Sequence, residues 1–223
     1  MIRKLLHITF IALIPLITFS QDKISKEEIY AHWLKSKQKR TLDERYQSHF
    51  DSIVINTINS LKDSGIDTFG VYILDFVRTV RLDSCEEANG KWEWVAFIQW
   101  IKNKETYHQK LTKRCQFIPI VLDSSTIISF YIANKASIDR ERIMPIITGA
   151  SKDKNGNILF GYEGIANSTY HSIYCYLNGA SKFTRFDQYE LDNKNNVFYS
   201  DNINSKINSW KIMILNQIKE IEK

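Results

Sequence analysis

Histidine and cysteine are scarce in this chain, five and three in 223 residues, and that scarcity narrows the chemistry it can carry. Beyond residue 20 the histidines are His32, His49, His108 and His171, none of them one helical turn from another. There is no paired cysteine motif and no acidic calcium loop, so the sequence predicts no metal site and no cofactor. Glycine is also thin, with eight residues. No glycine-flanked serine forms a nucleophile elbow, and Gly161-Tyr162-Glu163-Gly164 is too short and too glycine-poor to cradle a phosphate. With only three prolines, one of them Pro15, turns must rely on Asn, Asp, Gly and Ser.

Excess charge of one sign is missing too. Thirty basic residues stand against 25 acidic ones, and two of the basic ones, Arg3 and Lys4, lie in the first twenty positions. Nucleic-acid binders concentrate Lys and Arg on one face to neutralise phosphates. Here the densest cluster, Lys35, Lys37, Lys39 and Arg40, reads as the solvated face of a helix. No nucleic-acid partner is expected.

Long apolar runs are absent except at the start. Arg3 and Lys4 precede an uncharged stretch from Leu5 to Phe19, interrupted by Thr9, Pro15 and Thr18. A spanning helix wants about 20 apolar residues, so the run reads as a signal peptide over residues 1–20, cut before Gln21. No cysteine near its end could take a lipid. Export to the periplasm or beyond the cell is therefore expected, with residues 21–223 as a single domain that is not an integral membrane protein once the signal is removed.

What is present predicts an α+β fold: an antiparallel sheet, made of a meander and a second hairpin, packed with N-terminal helices and a C-terminal amphipathic helix. Ser25 and Glu28 form a capping box and Ile24 with Ile29 a hydrophobic staple. Thr41 and Glu44 repeat the device, opening a helix whose stripe runs through Leu42, Tyr46, Phe50, Ile53, Val54, Ile58 and Leu61 to a stop at Gly65. His49 falls beside that stripe. From Phe69 the period becomes two. Val71, Ile73 and Val77 mark a strand, Asn89-Gly90 a tight turn, Lys91 to Lys102 a second strand, and Asn103-Lys104 a turn into a third through Tyr107 to Lys113.

Thr126 to Ala133 predicts a strand, although Ile127, Ile128, Tyr131 and Ile132 also suit a short buried helix. Ile138 to Met144 predicts one or two helical turns, and Ile158 to Tyr162 a short strand. A second hairpin runs from Tyr170 to Leu177, turns at Asn178-Gly179 and returns over Lys182 to Tyr189. Val197 to Tyr199 reads as another short strand. The closing helix carries Ile203, Ile207, Trp210, Ile214, Ile218 and Ile221 on one stripe.

Turns at Asn89-Gly90 and Asn103-Lys104 would place Cys85 opposite Trp94 and Cys115 opposite Trp92, roughly 9 to 10 Å apart across two strand spacings. A disulfide needs Cα atoms within about 7 Å. Either the bridge is absent or Cys85 leaves the ladder in the poor strand sequence Asp83-Ser84-Cys85-Glu86 and folds over the sheet. The second option is favoured, because an oxidising compartment disfavours exposed thiols. Cys175 shares a face with His171, Ile173 and Leu177 and reads as a buried, unreactive thiol.

For function, the aromatic residues stand out. Trp92, Trp94 and Trp100 share a strand face, with Tyr107 opposite Trp100, and such a surface could stack on a glycan or pack against an envelope protein. The plainer reading makes these rings the core face of the sheet. The other face of the strand, Glu93, Val95, Phe97, Gln99 and Ile101, is itself apolar enough to be covered. The absence of catalytic motifs favours an exported binding or interaction protein, the alternative being an exported hydrolase with dispersed residues such as His171, His108 and nearby carboxylates. His171 and Asp187 lie on adjacent strands, but their side chains should point to opposite faces. The leader makes one expectation testable at once: exported material should begin at Gln21 on N-terminal sequencing, and mapping without reductant should find Cys85 joined to Cys115 with Cys175 free. Intact Met1 on cytosolic material would overturn it.

Overall fold

The computed structural model describes residues 24–37, 50–77, 92–163 and 168–223, and the side chains of Val77 and Trp92 also lie outside that description. The leader, Cys85, Asn89-Gly90, His49 and the capping pair Thr41 and Glu44 all fall outside it. Among the described residues the fold is α+β, with a six-stranded antiparallel sheet in the order β4 (Ile120–Leu122), β3 (Glu105–Thr112), β2 (Trp92–Lys102), β1 (Thr68–Val77), β7 (Tyr170–Leu177), β8 (Ala180–Asp187), and a separate two-stranded hairpin.

Helix α1 (Lys26–Lys37) opens on the expected capping box. The Glu28 backbone N–H donates to Ser25 Oγ and the Ser25 N–H to Glu28 Oε2, both at 3.1 Å, while Ile24 and Ile29 pack into one cluster. Helix α2 (Ser52–Asp63) begins later than the stripe predicts. Asp51 Oδ1 accepts from the Ile53 N–H at 3.1 Å and caps the helix there, leaving Phe50 ahead of it with its ring edge-on to Phe183. The cap outweighs the continuous apolar spacing. Gly65, at φ +73°, ends α2 as expected.

Strands β1 (Thr68–Val77), β2 (Trp92–Lys102), β3 (Glu105–Thr112) and β4 (Ile120–Leu122) form the meander. Asn103 and Lys104 both have positive φ, 53° and 70°, in the turn between β2 and β3, and Trp100 pairs with Tyr107 as expected. The β1–β2 register differs from the expectation. Trp94 faces Asp75, not Cys85, and Phe69 faces Trp100. The two registers are offset by an even number of residues, so both keep every side chain on its own face and pattern alone cannot choose between them. Cys115 does not face Trp92 either. Its carbonyl accepts from the Thr112 N–H at 2.8 Å, which folds the chain out of β3 into a turn.

Helix α3 (Thr126–Ile138) replaces the predicted strand. Ser125 Oγ caps it through the Ile128 N–H at 3.2 Å, and Ile127, Ile128, Tyr131 and Ile138 are buried while Ile132 is exposed. β-branched residues favour strands only weakly, and here a cap plus a buried stripe decides. No helix follows Ile138 beyond a turn at Asp139 and Arg140, and the stretch up to Met144, where helical turns were expected, is irregular. Strands β5 (Ile147–Lys152) and β6 (Ile158–Tyr162) form the small hairpin, closed by Asp153 Oδ1, which accepts from the Asn155 and Asn157 N–H groups at 2.8 Å.

Strands β7 (Tyr170–Leu177) and β8 (Ala180–Asp187) meet at the predicted Asn178-Gly179 turn, φ 48° and 85°. β8 stops two residues early because Asp187 caps the short helix α4 (Gln188–Asp192) in a capping box with Glu190. The strand expected over Val197 to Tyr199 is absent. Val197 makes a single bond to the Ile147 carbonyl and the chain turns into α5 (Tyr199–Ile203). Helix α6 (Lys206–Ile221) is capped by Ser205, which excludes Ile203 from its stripe; Ile207, Trp210, Ile214 and Ile218 are buried as expected.

The sheet is covered on both sides. Phe69, Val71, Ile73, Ala96, Ile98, Leu111 and Tyr174 pack with Val54 and Ile58 of α2. Tyr72, Phe97, Ile173, Cys175 and Phe186 face α3 and α6. Across that second interface Tyr131 stacks on Trp210 at 5.4 Å, and the Trp210 indole N–H donates to the Ile127 carbonyl at 2.9 Å.

Gly70 is where α3 comes nearest to β1. A Cβ there would lie 2.4 Å from Ile127 Cγ2. Gly70→Ala should therefore destabilise the protein by about 1–3 kcal/mol, the usual range for overpacking, read as a lowered denaturation midpoint with unchanged slope. An unchanged midpoint would mean that α3 does not rest on this strand.

Candidate functional site

The tryptophan face is built into the core. Trp100 is 9% exposed and stacks nearly parallel on Tyr107, with centroids 5.4 Å apart; the Tyr107 hydroxyl donates to Glu105 Oε2 at 2.6 Å. Trp94 is half-buried against the cluster under α2. The structure thus brings Trp94, Trp100 and Tyr107 onto one face, while the Trp92 ring and Cys85 lie outside the described residues. Little of the Trp100 ring is open to solvent for stacking.

The two histidines available to a hydrolase face the interior. His171, 3% exposed, sits between the Tyr72 hydroxyl, 2.7 Å from Nδ1, and Gln188 Oε1, 2.9 Å from Nε2. Gln188 Oε1 also accepts from Lys211 Nζ at 2.9 Å. An oxygen already serving an ammonium takes a proton from Nε2, leaving Nδ1 to accept from Tyr72. Burial, reinforced by the Lys211 charge, pushes His171 down to about 4. Burial also raises the Tyr72 hydroxyl far above its ordinary value. Asp187 is not its partner, since that carboxylate faces Tyr170 in the ladder and accepts from Ser168 and the Tyr189 N–H.

His108 stacks on Phe97 at 5.8 Å, and its Nδ1 lies 3.4 Å from Gln99 Nε2. Gln99 ties three elements together. Its Oε1 accepts from Ser125 Oγ at 2.6 Å and its Nε2 donates to Gln217 Oε1 at 2.7 Å. Burial pushes His108 down to about 4, although the Glu222 carboxylate works the other way. Both rings are neutral and hydrogen-bonded inside the fold.

Cys175 and Lys182 face one another across β7 and β8. The free Cys175 thiol is fully buried, and burial pushes it up to about 12, which makes it inert as expected. Lys182 donates to the Asp139 carbonyl at 3.2 Å; burial first, then the Arg142 charge, pushes its ammonium down to about 8. No group of three metal-ligating side chains occurs among the described residues.

An open cleft of about 330 Å³ lies on the α6 side of the sheet; of the candidate binding residues Trp94 lines it, and the rest of it was not read from the sequence. Its floor is two cross-strand rows of one face: Phe76 beside Glu93, then Leu74, Val95 and Thr112. Phe97 and Lys110 form the next row, where the last turns of α6 supply Leu215, Ile218, Lys219 and Glu222. Lys110 Nζ pairs with Glu222 Oε1 at 2.7 Å across that end. The cleft exists because β1 and β2 run past the end of the covering helix. The one sequence signal was the apolar second face of β2, wide enough to need more cover than a sixteen-residue helix gives. A second open cleft, about 670 Å³, lies between α1, Arg140 to Met144 and α5, with the Lys26–Asp201 ion pair at 3.1 Å on its wall.

Comparison with family models, curated proteins and solved structures finds no match to this chain.

The buried histidines tie stability to pH. A histidine of ordinary value 6.5 in the unfolded chain and about 4 in the fold leaves the unfolded state holding more protons in that window. Its contribution is therefore complete above about pH 6.5 and is lost as pH falls toward 4. In thermal melts His171→Gln should lose less stability than the parent between about pH 7 and about pH 5. Equal losses would contradict a neutral, buried His171.

Proposed function

We propose that this protein is exported, periplasmic or secreted after removal of residues 1–20, and acts by binding rather than by catalysis, with an envelope protein as the favoured partner. The observation that carries the reading is the cleft above Val95. Its floor is mainly apolar, with Glu93 and Thr112 at its sides, its Lys110 and Glu222 side chains neutralise one another, and His108 and His171 are turned away into the core. A hydrolase would need a base and a nucleophile converging on an open space.

A glycan partner draws less support, because the stacked Trp100–Tyr107 pair serves the interface with α2. An apolar side chain of a protein suits Leu74, Phe76 and Val95 better than a sugar hydroxyl does. A disulfide between Cys85 and Cys115 belongs to the same proposal. Support comes from Cys175 being a free thiol while Cys115 is not among the free ones.

Two measurements test the function. Purified mature protein offered peptide, ester, phosphoester and glycoside substrates should give no turnover, whereas activity that vanishes in His171→Ala or His108→Ala would reverse the conclusion. Capture from envelope extract should yield a partner whose recovery falls at least tenfold for Val95→Lys, which sets a charge on the cleft floor. A partner retained equally by that variant, with its fold unchanged by circular dichroism, would remove the cleft from the interface.

A further inference from the structure

The outer edge of β4 is unlike the other surfaces. Residues Gln116 to Leu122 run antiparallel along β3, and among the described residues β4 is the last strand on that side of the sheet. The pairing slips by one residue on the way. Gln116 bridges to Leu111 and the Phe117 N–H donates to the Lys110 carbonyl at 3.0 Å, whereas Ile120 pairs with His108. Ile118 falls at the slip, ahead of Pro119. This is a β-bulge, and a bulge re-aims a side chain. Ile118 is 87% exposed and Val121 60%, with Phe117 and Ile120 exposed beside them.

Natural edges are usually guarded by a charge, most often lysine, placed within the strand. No residue from Gln116 to Leu122 is charged. The charges stand at the two ends instead, Lys113 and Arg114 before the apolar stretch and Asp123 after it, and all three are exposed. That polarity selects an occupant. An antiparallel partner of the same sequence would bring the basic end of one edge against the acidic end of the other, while a parallel partner would set like charges together.

We propose that two copies of this chain pair about a two-fold axis through the β4 edges, with Ile118 and Val121 of each copy buried against the other. A two-fold contact is self-complementary, as this edge is. Because the bulge and Pro119 interrupt the ladder, few backbone bonds cross the axis and side-chain burial carries the contact. The interface is therefore small, and interfaces under about 1,200 Å² belong to the weak, reversible class.

Sedimentation velocity of mature protein, disulfide intact, from about 1 µM to about 500 µM spans the range in which so small an interface should dissociate. A reversible monomer–dimer equilibrium is expected. Ile118→Lys and Val121→Lys, both on exposed side chains, should each weaken it at least tenfold without altering the melting temperature. Lys113→Asp and Asp123→Lys should each weaken it, and the two together should recover part of the loss, Arg114 still opposing the new lysine. A monomer throughout the range overturns the proposal, as does a dimer indifferent to the lysine variants. Charge variants that fail to rescue one another would rule out the antiparallel two-fold arrangement, and capture of an extended foreign peptide on the edge of a monomer would assign it to a different occupant.

Discussion

The contact on which this architecture depends is the approach of α3 to β1 at Gly70. A strand face normally holds a helix off by the length of its side chains. Removing the Cβ at one position lets Ile127 settle onto the backbone of β1, and the contact fixes the height of α3 over the sheet. Trp210 then reaches the Ile127 carbonyl, which orients α6 on α3, and Gln99 links the start of α3 to Gln217. Each fully buried Ile or Val contributes about 1.5–3 kcal/mol by leaving water. Gln99 and the Trp210 indole settle among them with partners, because an unpaired polar group would cost a comparable amount.

The neutrality of His108 and His171 follows from that packing. Each imidazole lies on the sheet face under α3 and α6, where an ionised ring would have to give up its water. Their partners are an amide, a phenol and an aromatic ring, none of which carries a negative charge to stabilise the imidazolium. Lys211 beside His171 adds a positive charge that disfavours it further. These histidines extend the core's hydrogen-bond network, and the same features that make them good structural groups make them poor acid–base catalysts.

Local signals were the legible part of the sequence. The capping box of Ser25 and Glu28, the positive-φ turns at Asn103-Lys104 and Asn178-Gly179, and the α6 stripe through Trp210 are each written within a few residues, and each has a steric or hydrogen-bonding cause that acts there. The β1–β2 register was not legible, because sliding a strand by an even number leaves every side chain on its own face and lets the Asp75–Trp94 pairing compete with the Cys85–Trp94 one. The strand predicted over Thr126 to Ala133 failed for a related reason. Its β-branched residues satisfy two periods, and the arbiters were Ser125 and Gly70, the second more than fifty positions away. Of the candidate site, the Trp100–Tyr107 pair was readable as a register position, but whether that face met solvent or α2 depended on a helix docking elsewhere.

The cleft escaped sequence reading because it is defined by where cover stops. An apolar row such as Leu74 and Val95 looks the same in sequence whether a helix lies over it or not. Only the end of α6 near Glu222, set by the Ser205 cap at its start and the length of its stripe, leaves those residues open. The β4 edge has a similar origin: the pairing slips by one residue around Ile118 and Pro119, and Ile118 is left exposed there. Both surfaces are apolar areas that no described element of the chain covers. Among the described residues neither carries a group activated for proton transfer, and that shared character, more than any single residue, is the ground on which binding is proposed.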